Sequence, residues 1–126
     1  MQDAQQAGSS VILVADDEPA ICNLLRQILE REGYRVLMAT TTRSATLLAR
    51  ACAQPIDLLI ADIHIPTASG LELARQLRAE HPNVRVLLLS GNAIEDSLEF
   101  PLVAKPFDIQ TICTKVRECL VKKTDT

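Results

Sequence analysis

Three strand-sized, mostly apolar runs constrain this chain more than any other feature: Val11–Ala15, Ile56–Ala61 and Val84–Leu89. Runs of that length without in-and-out alternation belong to strands covered on both faces, as in parallel sheets flanked by helices. Between them the hydrophobic period changes to three and four. Ile21, Leu24, Leu25, Ile28 and Leu29 mark one helical face, with Pro19 suited to its first turn and Gly33 to its left-handed close. Arg35–Ala39 reads as a further strand, and Thr42–Ala53 as a helix packed through Ala45, Leu48, Ala49 and Cys52. Thr67, Ala68, Ser69 and Gly70 lead into a helix over Leu71–Glu80 that packs through Leu71, Ala74 and Leu77, and His81-Pro82 forms a helix-ending turn. Leu102–Ala104 is a very short strand, and Asp108 caps a last helix carrying Ile109, Ile112, Cys113, Val116 and Leu120. Strand and helix alternating with compact connections predict one α/β domain, a parallel sheet with right-handed crossovers.

The expected organisation is a flexible N-terminal segment over 1–10, one domain over 11–121 and a C-terminal tail over 122–126. With 48% hydrophobic residues but no Trp, one Tyr and two Phe, the core must be aliphatic. A formal net charge of −3 gives no general attraction for nucleic acid or acidic lipid, so direct nucleic-acid binding and membrane association are not expected. Cys22, Cys52, Cys113 and Cys119 form no CxxC pair, and His64 and His81 are the only histidines, which argues against structural zinc. Each cysteine falls in an apolar helical pattern, as buried free thiols do, and the polar start lacks a signal peptide's order. A cytoplasmic setting is the expectation.

The chemistry sits at the strand ends. Asp16 and Asp17 close the first strand and Asp62 the third; if those strands are neighbours, the three acids share the crevice where sheet order reverses. Acids so placed repel unless a cation joins them, and an all-oxygen ligand set selects a hard ion, with Mg²⁺ the natural candidate for phosphate chemistry. Ser90 and Lys105 end the fourth and fifth strands and enter the same rim. A hydroxyl and an ammonium there can contact phosphoryl oxygens. A carboxylate nucleophile, a metal nest and two such groups are the minimum for phosphoryl transfer onto a carboxylate.

Asp16-Asp17 after VILVA, Asp62 after LLIA, Ser90-Gly91 after LLL, and Lys105-Pro106-Phe107 together resemble the receiver domain of two-component response regulators, from about Val11 to Leu120. The resemblance implies a flavodoxin-like, doubly wound five-stranded parallel sheet in the order 2-1-3-4-5. It implies that Asp62 is the phosphoacceptor, assisted by Ser90 and Lys105. Asp17 would be the principal acid on Mg²⁺, Asp16 would hold metal-bound water, and the His64 backbone carbonyl would complete the ligands. The Lys105–Pro106 bond is expected to be cis. The phosphodonor would be a histidine kinase or a histidine phosphotransfer protein, and a downstream protein or output domain would read the signal. Any catalysis would be Mg²⁺-dependent self-phosphorylation and self-dephosphorylation rather than metabolic turnover.

The chain departs from the family in three places. The stretch between Ser90 and Lys105 is shorter than usual, so helix 4, between the fourth and fifth strands, is expected to be shortened or missing. Leu102 stands where an aromatic is common, and Phe100 is not positioned to replace it. The side chain of His64 either flanks the approach of attacking water or is an ordinary exposed loop histidine. These departures keep a second reading open: a degenerate receiver acting as a phosphorylation-independent protein-binding module. A small Mg²⁺-dependent phosphohydrolase is weaker, since no separate general acid or cap is evident. No glycine-rich turn follows the first strand, which argues against dinucleotide binding. Stand-alone regulator, piece of a longer protein and relay all fit the sequence, and the oligomeric state is left open.

Overall fold

A computed structural model describes residues 10–66, 68–91 and 99–121. Among them the chain runs β1 (Val11–Ala15), α1 (Pro19–Arg31), β2 (Arg35–Ala39), α2 (Thr42–Ala51), β3 (Leu58–Asp62), α3 (Gly70–Glu80), β4 (Arg85–Ser90), β5 (Leu102–Ala104) and α4 (Ile109–Val121). All strand pairs are parallel, in the order β2-β1-β3-β4-β5. The expected doubly wound architecture is therefore what the chain adopts. The shortened or missing helix was expected over residues that include 92–98, which lie outside the described residues, as do residues 1–9 of the N-terminal segment expected over 1–10 and the tail at 122–126.

Strand residues alternate between two aliphatic layers. Leu13, Ala15, Leu59, Ala61 and Leu88 face Ala45 and Ala49 of α2 and Leu73, Ala74 and Leu77 of α3. Ile12, Val14, Leu58, Ile60, Leu87 and Leu89 face Cys22, Leu25, Ile28 and Leu29 of α1 and Ile112, Val116 and Cys119 of α4. Burial on both faces is why these strands carry no polar alternation. Their buried side chains supply the main stabilisation, each worth roughly 1.5–3 kcal/mol relative to exposure.

The helical faces are rotated slightly from those the spacing predicts. On α1, Cys22 is buried while Leu24 is 41% exposed, and on α4 Cys119 is buried while Ile109 is 56% exposed. The strands β3 and β4 begin two and one residues later than expected, because Ile56 and Val84 are buried by side-chain packing before ladder pairing starts. α2 stops at Ala51, with Cys52 already extended, two residues short of the expected Ala53. All four cysteines are free; Cys22 and Cys119 are buried, whereas Cys52 and Cys113 are only partly covered.

The helix ends follow the local chemistry. Pro19 starts α1, and Gly33, at φ 98°, follows its end. Thr41 and Ser44 form a reciprocal capping box on α2, and Ser69 accepts from the Glu72 N–H at the start of α3. Asp108 Oδ1 accepts from the Thr111 N–H at 2.7 Å, capping α4 as expected.

Candidate functional site

Strand register assembles the site. Ala15 of β1 pairs with Ala61 of β3, so the next residues, Asp16 and Asp62, emerge side by side. Asp62 pairs with Leu89, which brings Ser90 alongside, and Ser90 pairs with Ala104, which delivers Lys105. The carboxyl ends of four adjacent strands thus open on one rim, with the order reversing at β1.

Asp16, Asp17 and Asp62 each offer a carboxylate oxygen, all within 4.8 Å of one another; Asp16 and Asp62 are buried and Asp17 is exposed. Lys105 joins the buried pair. Its Nζ lies 2.8 Å from Asp16 Oδ2 and 2.8 Å from Asp62 Oδ2, with Glu18 Oε1 at 3.4 Å on the solvent side. The contact to Asp62 is a hydrogen bond, whereas that to Asp16 is an ion pair off the line of a directed bond, leaving buried Asp16 Oδ2 without a hydrogen-bond partner.

Burial raises the Asp16 carboxyl above its usual range, against the opposing influence of Lys105 and of the Glu18 N–H, which donates to Asp16 Oδ1 at 2.9 Å. Burial by itself would lower the Lys105 ammonium, but its pairing with Asp16 and Asp62 more than offsets this and raises it. Lys105 therefore stays charged. Like-charged acids are tolerated here because a cation is already among them.

The donor set also suits a divalent metal: three carboxylates, oxygen ligands only, and one buried oxygen lacking a directed hydrogen bond. The His64 N–H donates to Asp62 Oδ1 at 2.9 Å, setting the His64 peptide beside the carboxylate while its side chain is exposed. Ser90 is buried at the end of β4, and its carbonyl accepts from the Lys105 N–H at 2.7 Å. Lys105–Pro106 is cis, as expected. Phe107 is partly buried against the α1–α4 layer.

Sequence reasoning overlooked several contributors. Glu18 contacts Lys105 from the turn after Asp17. Cys22, whose thiol is pushed up by burial and by Asp16, donates to the Asp16 carbonyl at 3.3 Å from beneath. Gly70 marks a helix start in the sequence, but its contact with the Asp62 backbone required coordinates. A glycine at a first helical turn, where it lowers helix propensity, was the available signal.

The model of the family described as response regulator receiver domain matches residues 12–117. The chain belongs to this family. Among curated relatives, the probable transcriptional regulatory protein TcrX of Mycobacterium tuberculosis is 34% identical over 86% of this chain and 49% of its own length. Sporulation initiation phosphotransferase F of Bacillus subtilis is 30% identical, with 90% of this receiver and 96% of that protein covered. The crystal structure of response regulator protein TrrA of Thermotoga maritima, in complex with Mg²⁺-BeF, superposes with a TM-score of 0.78 at 32% identity, covering 88% of this chain and 99% of that one. The receiver spans about half the length of TcrX and of two further curated transcriptional regulatory proteins that it matches. It is a phosphoacceptor receiver domain with an aspartate cluster able to coordinate a divalent metal. Among the described residues, no helix is long and apolar enough to cross a membrane.

Proposed function

We propose that this receiver takes a phosphoryl group onto Asp62 from the phosphohistidine of a histidine kinase or histidine phosphotransfer protein. The observation that carries the reading is the single ammonium of Lys105 standing 2.8 Å from both Asp16 and Asp62 inside the acid cluster. An Asp62 carboxylate oxygen forms the new O–P bond as the donor's N–P bond breaks, and the imidazole leaves with the bonding pair and takes up a proton. Lys105 is within reach of charge developing on the transferred group, and the Ser90 hydroxyl enters from the next strand end. The His64 N–H on Asp62 Oδ1 fixes the carboxylate's orientation.

Mg²⁺ is the proposed cation, held by Asp17, Asp62 and the His64 carbonyl, with Asp16 acting through water. When bound, it neutralises phosphoryl oxygens during transfer. The relative TrrA, crystallised with Mg²⁺-BeF, supports that choice. Hydrolysis of the acyl phosphate would reset the domain, and a downstream protein or output domain would read its state.

The alternative, a phosphorylation-independent binding module, draws on Leu102, which packs against the α2–α3 layer where a mobile aromatic would be expected. Intact mass after incubation with a small phosphodonor separates the two. The proposal requires one Mg²⁺-dependent phosphoryl addition that disappears in Asp62→Ala. No addition to the wild-type chain, or an undiminished one in the variant, rejects it.

A further inference from the structure

Among the described residues, the Thr42 side chain of α2 holds the middle of the segment after Asp62. Thr42 is the first residue of α2, where a helix leaves its N–H groups without intrahelical acceptors. Its N–H donates to the Pro66 carbonyl at 3.0 Å, and its Oγ1 donates to the same oxygen at 3.2 Å. Oγ1 also accepts from the Ala68 N–H at 3.1 Å. The hydroxyl thus works as donor and acceptor at once, between residues more than twenty positions away in sequence. Thr42 is 6% exposed, so these bonds form where water competes weakly.

Other bonds anchor the segment's ends, among them the Ile63 N–H donating to the Leu89 carbonyl of β4 at 2.9 Å. The His64 N–H binds the Asp62 carboxylate, and the Gly70 N–H donates to the Ile63 carbonyl at 2.8 Å. Both lie at the two ends of the segment, within the chain that they hold. Thr42 instead ties its middle to α2, packed on the sheet through Ala45 and Ala49.

We infer that Thr42 is a positioning residue for the phosphoacceptor segment, fixing the backbone that carries His64 so that its peptide keeps its place beside Asp62. None of these bonds involves the acids or Lys105, and its influence passes through Pro66 and Ala68. The inference rests on Asp62 being the phosphoacceptor with the His64 carbonyl among the metal ligands.

Thr42→Val keeps the shape and removes the hydroxyl, and Thr42→Ser keeps the hydroxyl. In labelling with acetyl phosphate, the Val variant should need about tenfold more Mg²⁺ for half-maximal rate, the range set by losing such a buried bond. The Ser variant should stay near wild type. Amide exchange at Ala68 should accelerate in the Val variant alone. Wild-type Mg²⁺ dependence in Thr42→Val overturns the inference, and so does equal impairment in both variants, which would mark a packing effect. If Thr42→Val fails to fold, Thr42→Ala makes the same comparison with Thr42→Ser. Should the wild-type chain take no label, the Asp62 reading fails by itself. The Ala68 amide then decides: protection lost without the hydroxyl supports the latch, and unchanged protection removes it.

Discussion

Gly70 lies so close to Asp62 that a Cβ on it would fall 2.0 Å from the Asp62 carbonyl oxygen and 2.8 Å from its carbonyl carbon. The first turn of α3 is thereby pressed against the backbone of the proposed phosphoacceptor. Alanine is the better helix former by about 1 kcal/mol, yet nothing flexible faces this position. Gly70→Ala should lose about 2–3 kcal/mol of stability by overpacking and should slow phosphorylation by displacing Asp62. Urea unfolding checks the first effect and the labelling rate the second; a variant as stable as wild type contradicts the contact.

Asp16 should make the metal-free protein less stable as pH rises. Its carboxyl titrates above the unfolded value, mainly because of burial. The folded chain therefore binds more protons between the unfolded and folded values, and stability falls as pH rises through that window. In EDTA at neutral pH, Asp16→Asn should raise the thermal midpoint by a few degrees and flatten this pH dependence. A lowered midpoint would show that the contact with Lys105 outweighs the burial cost.

Lys105 occupies the same carboxylates that a metal would use. Lys105→Met should therefore bind Mg²⁺ about tenfold more tightly by calorimetry, since a competing unit charge is gone. Its phosphorylation should nevertheless be slower, for lack of an ammonium facing the phosphoryl oxygens. Weaker Mg²⁺ binding would refute the competition.

Ser90 separates binding from chemistry. Ser90→Ala should leave Mg²⁺ affinity unchanged and reduce the rate of phosphorylation by about tenfold, the scale of one hydrogen bond to a charged group. An unaltered rate would reduce Ser90 to a buried strand-end residue.

What could be read from the sequence follows from the physics of each feature. The strands are buried on both faces, so VILVA and LLLS announce themselves, and parallel pairing then sends Asp16, Asp62, Ser90 and Lys105 to one rim. Helix faces are less sharply encoded: Leu24 and Cys22 are both apolar, and only packing decides that Cys22 turns inward. The contacts of Thr42 and Gly70 with the segment after Asp62 join residues distant in sequence or depend on backbone spacing, which no local period records. Glu18 reaches Lys105 across the rim for the same reason.

The most direct measurement is chemical trapping of the modified residue. After Mg²⁺-dependent labelling, borohydride reduces an aspartyl phosphate to homoserine, and peptide mass mapping locates the change. Homoserine at position 62, absent when Mg²⁺ is chelated, is the predicted result. Homoserine at position 16 or 17, or label that resists borohydride, would contradict the central claim.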